Sequence, residues 1–431
     1  MYNTLKSCKR CVKIVDINKL LEGVECSCGR THKCDIKSVY IENGAVSRLS
    51  ELCRDYNNIL VVADENTYNA AGEKVDDALS DKCVTKVIFS GKKVLIPDEK
   101  AIESVTKQID DKDLIVGVGS GVIQDLCKCV SLYEKIPYMI VATAPSMDGY
   151  ASTGAAMILE GMKETVPAGL PLAIVADTEV LKNAPMEMIK SGYGDIIGKY
   201  SALCDWKLSH AVNDEYLCDY IYDTTYKMID ETIKTAKGLL LRDEQSVKTL
   251  MEALIVVGIM MSFAGSSRPA SGSEHHLSHF FEIVGIVKNE PYFAHGIDVA
   301  YSAVVTADIR KKLLDAEYPE KQFVPERREY VAKMKDVYFR VADGCIALQD
   351  KGGNYKKDRL SVNKAKKDEI RSILENTPSA QEISDILKLC DLDISEYYNL
   401  YGKEKIDTAV LYAKDLKDRY SVLWMNYDLM K

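Results

Sequence analysis

Four of the six histidines in this chain lie between His275 and His295. On a helix, His275 and His279 are four residues apart and share one face, while His276 points elsewhere. His295 stands in a Phe-Ala-His-Gly segment that reads as a loop-to-helix junction, and Asp195 in SGYGDIIGKY reads as opening another helix. Two imidazoles and one carboxylate make a three-ligand metal set that leaves positions open for a reacting molecule, as catalytic rather than structural sites do. A lone histidine is usually a hydrogen-bonded core or surface residue, so the clustering carries the reading. HHLSH lacks the glutamate with which an HExxH helix activates water, which argues against peptide hydrolysis.

Three further stretches carry chemistry, each beside a plainer alternative. Gly117, Val118, Gly119, Ser120 and Gly121 follow an apolar run and lead into a helical pattern, placing backbone N–H groups where they can meet a pyrophosphate; an ordinary βα turn reads the same way. VATAPSMDGYAS brings Thr143, Ala144, Pro145, Ser146 and Ser152 to a strand end with the carboxylate of Asp148, unless it is only a solvated polar loop. Asp64 closes the run NILVVAD, where a carboxylate accepts hydrogen bonds from a ribose 2′-OH and repels a 2′-phosphate, favouring NAD over NADP. In SSRPASGSEHH, Arg268 with Ser266 and Ser267 suits a phosphate, as does Lys199 four residues after Asp195; otherwise Arg268 pairs within its own domain. Cys8, Cys11, Cys26 and Cys28 could close a structural zinc site, with Cys34 or His32 as substitute ligand, or simply form a reduced Cys-rich extension.

These groups need elements to hold them. Between residues 36 and 185, Val- and Ile-rich runs (DIKSVYI, NILVVAD, TKVIFSG, DLIVGVGS, YMIVATAPS, LAIVAD) alternate with amphipathic stretches, the pattern of a parallel sheet covered on both faces. From Pro185 the β-branched runs give way to long helical periodicities. The expected architecture is a Cys-rich extension (1–35), an α/β Rossmann-like domain (36–184) and an all-α domain (185–431), with the active-site cleft between the last two. Residues 350–369 are polar and charged and read as a solvated loop or insertion.

Composition narrows the function. The chain has 431 residues, 47% of them apolar, and 56 basic against 65 acidic residues give a net charge of -9 without long blocks of either sign. Nucleic acid and anionic membranes are therefore disfavoured partners, and an anionic small molecule must be caught by a local site. Nothing near residue 1 reads as a signal sequence, and no stretch is expected to span a membrane. Thirteen cysteines point to a reducing, cytoplasmic setting.

Taken in order, CSCGRTH, VVADENTY, GVGSGVIQDLCK, TAPSMDGYAS, GYGDIIGKYSALCDWKL, SRPASGSEHHLSHFFE, AHG and DRYSVLW resemble the iron-containing alcohol dehydrogenase and dehydroquinate synthase-like superfamily, and within it the sn-glycerol-1-phosphate dehydrogenase family. The resemblance implies Asp195, His275 and His295 as metal ligands, with zinc, nickel or iron bound, and Asp64, Gly117 to Gly121, Thr143 to Ser146 and Ser152 as contacts to NAD or NADP. It implies Asp148 and His279 at the substrate, with Asp195 touching substrate as well as metal and His279 as proton relay. The implied reaction is reduction of dihydroxyacetone phosphate to sn-glycerol 1-phosphate, or its reverse, by a homodimer that feeds glycerophospholipid-type synthesis. Other alcohol or polyol dehydrogenases and dehydroquinate synthase-like lyases share the HxxxH spacing and remain open, and so does a non-enzymatic regulator that binds zinc and a nucleotide.

Overall fold

The computed structural model describes residues 15–159 and 162–430. A six-stranded, all-parallel sheet is built from β3 (Ser38–Glu42), β4 (Asn58–Asp64), β5 (Cys83–Phe89), β6 (Leu114–Gly119), β7 (Tyr138–Ala142) and β10 (Ala173–Asp177), in the spatial order β3-β10-β7-β6-β4-β5. The inner strands are buried on both faces, which explains why their sequences are continuous apolar runs rather than alternating ones. Among the helices that cover them are α3 (Glu65–Ala78), α4 (Glu99–Thr106) and α5 (Gly121–Glu134).

The chain leaves β4 toward β5 on one side and leaves β6 toward β7 on the other, so strand order reverses between β4 and β6. That crevice, at the carboxyl ends of the strands, is where open α/β sheets bind ligands. Asp64 and the glycine loop are its two lips.

Two elements were not anticipated. β8 (Gly154–Leu159) pairs antiparallel with β9 (Met162–Pro167), and a two-stranded ribbon joins β1 (Val24–Glu25) to β2 (Thr31–His32).

After Asp177 every regular element is helical. The central ones are α7 (Met186–Asn213), α8 (Asp219–Leu240), α9 (Glu244–Ala264), α10 (Ser273–Lys288) and α11 (His295–Leu314). Against expectation, α9 is long and apolar enough to cross a membrane by length and composition alone; 78% of its most apolar window is buried, so its hydrophobicity belongs to the protein core.

Residues 350–369 are also not a solvated loop. They include the helix Arg359–Ala365, and buried Arg359 makes a bidentate pair with Asp428 (2.6 and 2.9 Å) while lying over the Trp424 ring. A polar sequence is buried here because its charges find partners across the helical region.

Candidate active site

Three elements converge on one cluster. Asp195 lies on α7, His275 in the first turn of α10, and His295 is the first residue of α11; one ligand atom from each lies within 4.8 Å of the others. Asp195 does not open a helix as its sequence context suggested. It sits mid-helix, because the glycines around it serve helix packing rather than helix termination.

His275 is buried, and its Nδ1–H donates to Glu274 Oε1 at 2.7 Å, leaving Nε2 as the bare nitrogen 3.7 Å from Asp195 Oδ1. A metal bonded at about 2.0–2.2 Å to each atom spans that gap. A carboxyl group fixing the tautomer of a ligating imidazole is the usual outer layer of such sites. Burial, with the Lys199 charge nearby, holds the His275 pKa well below its ordinary value, so the ring is neutral as a ligand must be. Glu274 is itself pushed up to about 8 by burial, with the Asp205 carboxylate adding to the shift. His295 rests 3.4 Å from Ser278 Oγ. The donor set, one carboxylate and two imidazoles, fits a divalent transition metal.

His279, one turn along α10 from His275, brings its ring within 6.1 Å of His275 and 5.5 Å of His295. Lys199 is completely buried between two carboxylates, 2.5 Å from Asp195 Oδ1 and 2.7 Å from Asp148 Oδ2. Burial alone would lower its pKa, but the two carboxylates overcome this and raise it. Burial and the Asp195 charge raise the pKa of Asp148. The Asp148 backbone N–H donates to Asp195 Oδ2 at 3.0 Å, so the loop after β7 is bonded directly to a metal-site residue on α7.

The residues expected at the nucleotide lie along the same edge of the sheet. In register, Ala63 faces Val118, which sets Asp64 beside the glycine loop. Asp64 also caps α3, accepting the Thr67 N–H at 2.9 Å. An added Cβ at Gly119 would lie 2.6 Å from Ile123 Cβ, so this position requires glycine for helix and strand to pack. No side chain caps α5 at Ser120, which leaves its N-terminal N–H groups available to an anion. Thr143 N–H donates to Gly119 O at 3.1 Å, joining the two loops. The Ser152 hydroxyl lies 3.2 Å from buried Lys128 Nζ.

Arg268 is not brought to the cluster. Its guanidinium donates to both Glu215 carboxylate oxygens (2.7 and 2.5 Å), to Tyr420 O (2.8 Å) and to Ser209 Oγ (3.1 Å). Ser267 Oγ accepts from Arg419, and the hydroxyl of exposed Ser266 accepts from the Arg268 backbone N–H. The basic group that sequence reasoning passed over is Lys417, whose Nζ lies 3.4 Å from Ser271 Oγ and whose charge lowers the pKa of both His275 and His276. Its signal was position, just ahead of DRYSVLW.

Residues 40–185 match the family model described as iron-containing alcohol dehydrogenase. The glycerol-1-phosphate dehydrogenase (NAD(P)+) of Geobacillus stearothermophilus is 31% identical over 386 residues, covering 86% of this chain and 88% of that protein. The enzyme of the same name from Geobacillus thermodenitrificans strain NG80-2 is 33% identical over 304 residues, 68% of this chain and 75% of that protein. Among solved structures, glycerol dehydrogenase from Schizosaccharomyces pombe matches with a TM-score of 0.54 and 18% identity over 84% of this chain and 91% of that one, which supports the fold alone. Sequence similarity over most of the chain, together with this fold, shows that the chain belongs to the glycerol-1-phosphate dehydrogenase family within the iron-containing alcohol dehydrogenases.

Proposed function

We propose that this chain reduces dihydroxyacetone phosphate to sn-glycerol 1-phosphate with a nicotinamide cofactor, and catalyses the reverse oxidation. The observation that carries this reading is the gathering of Asp195, His275 and His295 where the loop after β7 meets α7, beside the crevice at the sheet's carboxyl edge. Zinc, nickel or iron held there would supply Lewis acidity at the substrate oxygen, and nicotinamide would supply or accept hydride.

The protein's own residues do the rest. Glu274 fixes the His275 ring, and Lys199 holds Asp148 and Asp195 in place. His279 moves the proton to or from the substrate oxygen through its imidazole. Lys417 takes the phosphate, in place of the Arg268 expected from sequence. Homodimerisation and a cytoplasmic setting belong to the same reading; the described cysteines are all free, as a reducing compartment keeps them.

The test is turnover of metal-loaded protein with NADH and either dihydroxyacetone phosphate or dihydroxyacetone. We expect the phosphorylated ketone to be strongly preferred and the product to be sn-glycerol 1-phosphate. A product of sn-glycerol 3-phosphate, or equal efficiency with dihydroxyacetone, overturns the assignment. Lys417→Ala should raise KM for dihydroxyacetone phosphate by roughly 10-fold or more while leaving KM for NADH unchanged, the size of one charge-assisted hydrogen bond. Arg268→Ala should instead lower Tm, because it leaves Glu215 without its bidentate partner.

The cofactor preference has its own check. Asp64→Asn keeps the α3 cap, since Asn caps as well as Asp, but removes the charge that faces a 2′-phosphate. Wild type should prefer NADH, and the variant should gain NADPH activity with little change in Tm. An unchanged NADPH/NADH ratio means that Asp64 does not read the ribose.

A further inference from the structure

A second group of ligand-type side chains lies outside the active-site cluster. Cys26 and Cys28 stand at the turn between β1 and β2, His32 ends β2, and Cys218 comes from the helical region, directly before α8. The ligand atoms of these four residues lie within 4.8 Å of one another. Cys26 Sγ is 3.6 Å from Cys218 Sγ; Cys28 Sγ and Cys218 Sγ are each 3.5 Å from His32 Nε2.

These separations identify the chemistry. A disulfide requires sulfur atoms about 2.05 Å apart, so Cys26 and Cys218 are not bonded to each other. Tetrahedral zinc with bonds of about 2.3 Å to sulfur and about 2.05 Å to nitrogen sets two sulfurs about 3.8 Å apart and a sulfur and a nitrogen about 3.6 Å apart. The observed values fall within a few tenths of an ångström of both.

The surroundings are arranged for a metal as well. His32 Nδ1–H donates to Phe263 O at 3.3 Å, which leaves Nε2 as the lone pair facing the three sulfurs. Its ring is stacked between Phe263 (5.2 Å between centroids) and Tyr220 (6.4 Å), so it is held in orientation. Tyr216 Oη lies 3.2 Å from Cys28 Sγ, placed to donate to a thiolate, and Arg30 lies over the Tyr216 ring, placing positive charge beside a site with three thiolates. Gly29 takes φ +83° in the Cys26–Arg30 turn, a left-handed conformation that favours glycine.

We propose that Cys26, Cys28, His32 and Cys218 bind a structural zinc ion that clips the β1–β2 ribbon to the start of α8. With four protein ligands the site is closed, so its role is to hold the fold rather than to react. The clip joins positions 186 residues apart in sequence. Of the quartet expected from sequence, Cys8 and Cys11 lie outside the described residues; of the two substitute ligands, His32 joins the group and buried Cys34 does not. The clip is independent of the substrate assigned to the active site.

The experiment uses the full-length protein loaded with zinc, and separately with cobalt(II). Wild type should contain two metal equivalents per chain and His275→Ala one. The cobalt form of His275→Ala should retain thiolate-to-cobalt charge-transfer absorption, which the sulfur-free Asp/His/His set cannot produce. Cys218→Ser and His32→Leu should lose that absorption and one equivalent. His32→Cys, which completes a four-cysteine set, should keep both, and this guards against variants that merely fold poorly. Cys8→Ser/Cys11→Ser should also keep both. A wild type with one equivalent that disappears in His275→Ala overturns the proposal, as does a thiolate band that survives Cys218→Ser but vanishes in Cys8→Ser/Cys11→Ser. A Cys26–Cys218 disulfide in non-reduced peptides of freshly purified protein would overturn it too.

Discussion

Replacing His275 by alanine is expected to reduce turnover by a factor on the order of 10³ or more, because losing the metal removes several kcal/mol of charge stabilisation at the substrate oxygen. His295→Ala and Asp195→Asn should have the same effect, since each would supply one ligand of the proposed three-residue set. The three variants will differ in what they leave behind. His275→Ala deprives Glu274 Oε1 of a 2.7 Å partner while Gly272 N–H still donates to it, so the cost to the fold is moderate. Asp195→Asn acts on a tighter network: Lys199 keeps Asp148 as its only carboxylate, and the Asp148 backbone N–H must find its acceptor on an amide. Metal content measured beside kcat/KM decides the matter. Activity should fall in step with loss of the active-site metal, and His275→Ala protein that is both fully metallated and active would remove His275 from the ligand set.

The sequence exposed those features whose physical cause is local. Strands β4, β6, β7 and β10 stood out as unbroken apolar runs because helices cover both faces of a parallel sheet. His275 and His279 could be set on one face because four-residue spacing is a property of any helix. What sequence did not show depends on partners far along the chain. Arg268 has the chemistry of a phosphate ligand, and only the approach of Glu215 shows that its guanidinium is already engaged. Cys218 is one scattered cysteine among many until the fold carries the β1–β2 ribbon to it. The polar run 350–369 reads as solvated unless Asp428 is known to wait for Arg359. Asp195 reads as opening a helix from SGYGDIIGKY alone, whereas in the fold Gly194 and Gly198 mark where α11 comes close and Gly192 where the loop at Pro145 does.

That close approach sets up the second large effect, in Gly296→Ala. Gly296 follows His295, a proposed ligand, and its N–H donates to Ser191 Oγ on α7 at 3.0 Å. Ser191 Oγ in turn donates to Ser146 O, so one hydroxyl joins α11, α7 and the loop after β7. A Cβ at Gly296 would lie 2.0 Å from Ser191 O, a contact with rigid backbone that no rotamer change relieves. Opposite, a Cβ at Gly194 would meet Gly296 O at 2.5 Å, so the seam is tight in both directions. The variant must separate α7 from α11, and these are the helices that carry Asp195 and His295. Overpacking of this kind costs typically 1–3 kcal/mol and occasionally more. For a chain of 431 residues, with an unfolding entropy of about 2.1 cal/mol/K per residue, about 3 kcal/mol corresponds to a fall in Tm of roughly 3–4 °C. Metal affinity should fall with it, because the ligand atoms move apart together with the helices. Gly169→Ala is the control, having nothing within 4 Å of its added methyl and no positive φ, and it should behave as wild type. If Gly296→Ala keeps both wild-type Tm and wild-type metal content, the α7–α11 seam does not set the geometry of the metal site.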